Sequence, residues 1–334
     1  MPAEETEHER TWMCWPARRD VWGCDLRSVQ DSIIGVAHTI SEFEAVTMLA
    51  RADEVRPLRR LVGRDVEVLT APVDDLWARD TLPTFPVGVG ADGAPALAAG
   101  HVQFNGWGDK QVHRGDARLA RLVADHLGVP LVESGLTGEG GGLEVDGTGT
   151  VIAAAPSWVN DNRNPGKSRA EIEAALLGVL GAERMLWLDG LAGRDITDGH
   201  VDTLARIANP HTIVIDTPAF DDPADPWTAV ATRNRELVHA ATKAGGGPYD
   251  IVEVVQPASP RGTGADFLAT YMNYYVGNGA VIAPQFGDHK ADAAAKGVLT
   301  DLFPERKIVT LDIDPIAAGG GGIHCSTQQQ PKVG

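Results

Sequence analysis

SRAEIEAALLGVLGAERMLWLDG, residues 168–190, contains the structural unit from which the rest of the chain can be read. Ser168 and Glu171 form the S-x-x-E pattern in which each side chain satisfies the other's free backbone N–H at a helix start. Ile172, Ala175, Leu176 and Val179 then recur at the 3.6-residue helical period, and Gly181 suits the left-handed residue that ends a helix. The apolar run 185–188 follows at once and reads as a buried strand. Similar runs lie at 66–69, 129–132, 251–255 and 308–311, with starts spaced roughly 55 to 65 residues apart, a spacing suited to repeated supersecondary units. Helical patterns precede them. Residues 116–127 place Leu119, Leu122, Val123 and Leu127 on one face before Gly128; 227–244 carry Val230, Leu237, Val238 and Ala241 before Gly245; 290–303 end before Pro304; and 42–62 are helical in pattern but interrupted by Pro57.

After each strand comes a loop rich in Gly or Pro, and each loop holds one polar residue of catalytic type. These are Asp80, Glu139, His200, Asn273 and Cys325. Further strand-like runs at 151–155, 212–215 and 279–283 follow several of the loops. The unit is therefore strand, loop, strand, helix, an α/β design. Five such units related by rotation would carry their loops toward one axis and gather the five residues in one pocket. Residues 88–100 read as a hairpin or surface loop and 217–227 as an exposed loop before a helix. No linker divides the 334 residues, and 1–334 is read as a single domain.

Composition limits the function classes. Apolar residues make up 43% and charged residues 22%, as in an ordinary globular protein. The 38 Gly and 21 Pro follow no triplet period and indicate a turn-rich chain. No apolar run reaches the roughly 18 residues of a membrane span, and the first ten residues show no signal-peptide pattern. The net charge of −17, from 29 basic and 46 acidic residues, argues against nucleic acid, which is bound by clustered Lys and Arg. An acidic field favours a cationic small molecule, although surface solvation accounts for the same charge without any ligand. The three cysteines, Cys14, Cys24 and Cys325, lack C-x-x-C spacing, so neither a disulfide framework nor a thiolate metal site is expected, and a reducing cytoplasmic setting is. Cys14 and Cys24, among Trp12, Trp15 and Trp22, read as core packing.

Cys325 stands in GGGGIHCSTQQQP, where a glycine run lets the backbone approach a ligand closely. A free thiol ionises near pH 8.5, and a cationic substrate would raise the thiolate fraction. His324 is its neighbour in sequence but would point to the opposite face of an extended strand. His200 and Asp202 form G-H-x-D; on a strand, residues i and i+2 project to one side, and a carboxylate near an imidazole suits acid–base work. The histidines show no H-x3-H or H-E-x-x-H spacing, so no metal is expected. Asp80, Glu139 and Asp202 supply three carboxylates, and carboxylates hold the planar guanidinium fork best. Trp77 and Trp107 offer an aromatic wall for an alkyl or cationic ligand.

Together, TWMCWP (11–16), WARDTLPTF (77–85), FNGWGDK (104–110), EGGGLEVDGTGT (139–150), NDNRNPGKSRAEIE (160–173), ITDGHVDTLARI (196–207), YMNYYVGNGAVIAPQFGD (271–288) and GGGGIHCSTQQQP (319–331) resemble the agmatine deiminase / bacterial peptidylarginine deiminase family of the pentein, guanidine-modifying superfamily. The resemblance runs almost end to end. It implies a five-bladed pseudo-symmetric α/β-propeller of ββαβ units and cofactor-free hydrolysis of a guanidine. Its leading form is agmatine to N-carbamoylputrescine and ammonia, a place in polyamine metabolism toward putrescine. It further implies Cys325 as nucleophile, His200 as general acid and base, Asp80 and Asp202 as guanidinium-gripping carboxylates, Glu139 orienting His200 or the substrate, and Asn273 lining the pocket.

Three positions depart from the family pattern. Ile196 stands where an acid usually precedes the histidine by four, Leu82 replaces the glycine of R-D-x-G-P, and Gly322 stands where Asn is usual. The first leaves the substrate more open than the reaction class. The alternatives are a deiminase or amidinotransferase for peptidyl arginine or a specialised metabolite, a catalytically silent guanidine binder, and, least favoured, a cysteine protease. The expected partner is a small cationic guanidine, with no nucleic acid or membrane; the sequence also leaves room for a homodimer.

Overall fold

The computed structural model describes residues 1–243 and 246–333. The anchor segment forms as its sequence dictates. Helix Arg169–Leu180 starts at Ser168, whose hydroxyl accepts from the Glu171 N–H while Glu171 reaches back to the Ser168 N–H, and it ends at Gly181 with φ +63°. Ile172, Leu176, Val179 and Leu180 are its buried residues. Each such aliphatic side chain, fully buried, contributes roughly 1.5–3 kcal/mol. The helix leads into strand Arg184–Leu188, which runs parallel to Thr150–Ala154.

This plan recurs. Glu144–Val145 is antiparallel to Thr150–Ala154; Ala205–Asn209 is antiparallel to Thr212–Thr217, which is parallel to Asp250–Val255; and Tyr275–Gly277 is antiparallel to Ala280–Gln285, which is parallel to Lys307–Asp312. Helices Pro226–Ala240 and His289–Leu302 cross between the parallel strands. The largest sheet has the order Thr327–Pro331, His8–Cys14, Val46–Ala50, Val66–Thr70, with only the first pair antiparallel. Ala99–Gln103 lies parallel to Leu131–Thr137, and an isolated antiparallel bridge joins Thr84 to Gly100. The hairpin expected over 88–100 forms over residues 87–97, Val87–Val89 against Pro95–Leu97. Among the described residues, no helix is long and apolar enough to cross a membrane.

Several expectations need correction. The pattern at 42–62 is not one helix: it divides into strand Val46–Ala50 and helix Val55–Val62. Pro57 lies in that helix's first turn, where its missing N–H had no intrahelical partner to lose. The helix expected over 227–244 closes at Ala240, and its expected cap, Gly245, lies outside the described residues. Cys14 is buried as expected, but Cys24 is exposed, because it sits in the surface turn Gly23–Asp25.

Candidate active site

Each of the five singled-out loops follows the last, parallel strand of a sheet. Asp80 lies in the turn Ala78–Thr81 beyond Val66–Thr70, and Glu139 precedes the turn Gly140–Gly142 beyond Leu131–Thr137. His200 and Asp202 flank the start of the turn Val201–Thr203 beyond Arg184–Leu188. Asn273 lies between Asp250–Val255 and Tyr275–Gly277, and Cys325 between Lys307–Asp312 and Thr327–Pro331. The expected strand geometry of G-H-x-D is replaced by a 3-10 turn, and His324–Cys325 likewise lie in a turn. The i, i+2 rule therefore does not account for their placement; the turns do.

Cys325, His200, Asp202 and Trp77 line one cavity of about 670 Å³. Asp80, Glu139 and Asn273 touch these groups from behind. The Asn273 amide donates to Cys325 Sγ (3.1 Å) and to Asp202 Oδ2 (3.2 Å), and its oxygen accepts the Cys325 N–H (3.1 Å). The thiol lies 3.5 Å from the same Asp202 oxygen. Glu139 Oε2 lies 3.1 Å from His200 Nε2, and Asp80 Oδ1 is 3.7 Å from His200 Nδ1. Asp80 is itself fixed by the Gly141 N–H and the Trp107 indole N–H, both at 2.9 Å. Trp107 therefore does not form the aromatic wall expected of it. Trp22, 6.0 Å from Trp77 between ring centroids, lines the cavity instead.

Two buried polar atoms at this point have no hydrogen-bond partner among the described residues: His200 Nδ1 and Asp202 Oδ1. Leaving such atoms unpaired costs about 1–3 kcal/mol each, more where the group is charged, so they mark a place shaped for something other than stability.

Charge follows from burial and neighbours. Burial alone would lower the His200 pKa, but the charges of Asp80, Glu139 and Asp202 outweigh it and bring it up to about 9. Burial pushes the Asp80 carboxyl up, against the pull of His200. Asp202 lies below its usual range: burial opposes ionisation, but the His324 hydrogen bond and the nearby His324, His200 and Arg206 charges prevail. The Cys325 thiol is pushed well up, by burial first and then by Asp202 and Asp80.

A second layer was not evident in the sequence. Arg163 sends Nε to both oxygens of Glu139 (2.9 Å each) and Nη1 to Asp198 (2.7 Å), and Asp198 is held by Lys110 and Asn162 as well. Asp198 has φ +63°, a conformation its short polar side chain tolerates better than most. On the other side, His324 bridges Asp202 and Glu4 at 2.8 Å each, and Glu4 accepts from Arg206 (3.1 Å) and Arg79 (3.4 Å). His324 thus acts on Asp202, not on the thiol. The pattern departures also find places: Ile196 lines the cavity, Leu82 is buried beside Phe85, and a Cβ on Gly322 would stand 2.6 Å from Asn273 Oδ1.

Gly141 offers a local test. A Cβ there would lie 2.7 Å from Asp80 Oδ1, 2.7 Å from His200 Nδ1 and 3.2 Å from Asp202 Oδ2. Gly141→Ala is expected to lower kcat about 100-fold or more, since a shift near 1 Å in reacting groups costs that much. Steady-state kinetics beside an unchanged circular dichroism spectrum would check it; full activity would show that these three atoms need not converge.

The profile of the Porphyromonas-type peptidyl-arginine deiminase family matches residues 1–331. A Streptomyces coelicolor protein is 40% identical over 344 residues, covering 100% of this chain and 99% of its own. The agmatine deiminase of Pseudomonas aeruginosa is 35% identical over 363 residues, covering 99% and 95%. The solved structure of the agmatine deiminase of Enterococcus faecalis superposes with a TM-score of 0.90 at 28% identity, covering 99% of this chain and 95% of that one. With a family match over nearly its whole length and a five-loop site of thiol, imidazole and carboxylates, the chain belongs to the Porphyromonas-type peptidyl-arginine deiminase family.

Proposed function

We propose that the protein is a hydrolase of linear amidines that converts agmatine and water to N-carbamoylputrescine and ammonia. The carrying observation is the pair of unpartnered atoms, Asp202 Oδ1 and His200 Nδ1, beside the Cys325 thiol in one acidic cavity. A guanidinium supplies N–H donors for Asp202 and Asp80, and each charge-assisted bond is worth roughly 1.5–3 kcal/mol. Its positive charge also offsets the carboxylates that hold the thiol protonated, so substrate binding itself favours the thiolate.

Cys325 Sγ attacks the central carbon. The C–N bond to one terminal nitrogen breaks, and the thiol proton leaves through His200 in the departing ammonia. Asp80 and Asp202 hold the remaining planar thiouronium. His200 then takes a proton from water, whose oxygen bonds the same carbon; the C–S bond breaks and the ureido product forms. One proton returns to sulfur, and the other converts ammonia to ammonium. Glu139, fixed by Arg163, orients the imidazole.

The same reading takes residues 1–334 as one deiminase domain and its sheets as five propeller blades around the site. It is supported by the recurrence of an antiparallel pair followed by a parallel strand in four sheets, and by the Thr84–Gly100 bridge beside Ala99–Gln103, a reduced version of the same plan.

Ammonia release measured against agmatine, free arginine, arginine peptides and guanidinobutyrate, with and without an amine acceptor, tests the function. Agmatine is expected to turn over to the ureido product. Turnover of another guanidine in its place would overturn the substrate, and amine-dependent product would overturn hydrolysis.

A further inference from the structure

The cavity extends well past the catalytic groups, along Thr203, Leu204 and Ile215 to Asp216. Asp216 lies on strand Thr212–Thr217, and its N–H donates to Leu204 O at 2.9 Å, two residues beyond Asp202. It is 7% exposed. Its Oδ1 accepts from the Thr270 hydroxyl at 2.7 Å and its Oδ2 from the Gln256 amide. Among the described residues no Lys, Arg or His nitrogen lies within 4.0 Å of it, and burial pushes its carboxyl up to about 7.

The other buried carboxylate on this wall outside the catalytic group, Asp75, behaves differently. Asp75 accepts four hydrogen bonds, from the Trp22 and Trp77 indoles, the Leu76 N–H and the Gln111 amide. Four is the full capacity of a carboxylate, so Asp75 is a framework group with nothing left to offer. Asp216 has half its capacity filled. The remaining acids of the wall, such as Asp195 and Asp225, are exposed and occupied with their own turns. Asp216 is therefore the one buried carboxylate on the described wall, outside the catalytic group, that combines open acceptor capacity with no cation of its own.

Resting on the guanidine-deiminase reading of the site, we propose that Asp216 is the specificity residue that receives a second cation at the far end of the substrate's alkyl chain. The substrate class is then a guanidine joined by methylenes to an ammonium group. Leu204, half-buried on the same wall, is the apolar side chain offered to the methylenes, whereas Ile215, the strand neighbour of Asp216, turns to the opposite face and packs in the core. A carboxylate-tailed guanidine, such as guanidinobutyrate, meets Asp216 with like charge and is disfavoured.

Binding to a Cys325→Ser protein reads this apart from turnover. Agmatine and butylguanidine, which lacks the terminal amine, are titrated by calorimetry into this protein and into the same protein carrying Asp216→Asn. Agmatine is expected to bind at least about 10-fold tighter than butylguanidine, the lower end for one charge-assisted bond. Asp216→Asn should abolish the difference while leaving butylguanidine affinity unchanged, which also reports an intact fold. Asp216→Glu moves the carboxylate one methylene inward, and should transfer the preference to the guanidine with a tail one methylene shorter. An agmatine preference that survives Asp216→Asn, or one that ignores tail length in Asp216→Glu, overturns the proposal. A preference that tracks Asp216 without ammonia release by the unsubstituted protein would refute the deiminase reading and leave the subsite standing. Ammonia release with no dependence on Asp216 would do the reverse.

Discussion

Cys325→Ser is expected to release ammonia from agmatine on the order of 10⁴- to 10⁶-fold more slowly than the unsubstituted protein. A serine hydroxyl can replace the thiol sterically, but it is a far weaker acid and nucleophile at neutral pH, and His200, held largely as the imidazolium, is poorly placed to take its proton. Its own neighbours are acidic: the oxygen would stand near Asp202 Oδ2, which lies 3.5 Å from the present sulfur. The Asn273 amide donates to the sulfur and would stabilise a thiolate, yet it is a neutral donor and cannot remove a hydroxyl proton. Guanidine binding should persist, because Asp80 and Asp202 are untouched. The companion measurement is mass spectrometry of acid-quenched protein: a covalent amidino adduct on the Cys325 peptide with agmatine, and none in the serine variant. Activity within tenfold of the unsubstituted protein would place the nucleophile elsewhere.

His200→Gln is the second large effect, a loss of about 10²- to 10⁴-fold in kcat, the usual range for a positioned acid–base group. Its pH dependence is more diagnostic than its size. The folded-state pKa of His200 is brought up to about 9, so the imidazolium predominates below that pH and is lost above it. The protonated ring is the form that hands a proton to the departing nitrogen. The kcat/KM of the unsubstituted protein should therefore fall as pH rises through about 9, while the substrate guanidinium stays charged throughout. In His200→Gln that alkaline limb should vanish, leaving a low and flatter profile. An unchanged limb would assign the titration to another group.

Much of the layout was legible in the sequence because its signals are local. Ser168, Glu171 and Gly181 carry the capping chemistry of one helix within a few residues, and the five Gly- or Pro-rich loops announce themselves by composition. Helix Leu26–Ser41 was missed although its buried stripe, Leu26, Val29, Ile33, Val36, Ala37 and Ile40, has a plain helical period. The five loop residues could be named singly, whereas their convergence is a property of the whole chain. The supporting layer was hidden for a physical reason. Glu4, Arg163, Arg206 and Asp198 are ordinary charged residues in sequence, and only burial turns them into fixed partners. Nor does local spacing reveal that His324 serves Asp202: that depends on a turn, whereas the alternation of an extended strand predicts the opposite.

The pairing of Thr327–Pro331 with His8–Cys14 has a consequence for synthesis. The Trp12 indole reaches Gln330 across 318 residues, and Cys325 lies two residues before the strand that makes this closure. As the ribosome works, the strand near the start emerges first and waits with one edge unpaired until its partner is translated, a state open to mispairing with other nascent chains. Contacts of such sequence separation form late, because loop closure must precede them. The thiol is thus among the last catalytic groups to be seated, and a half-made chain has no means of hydrolysing a guanidine.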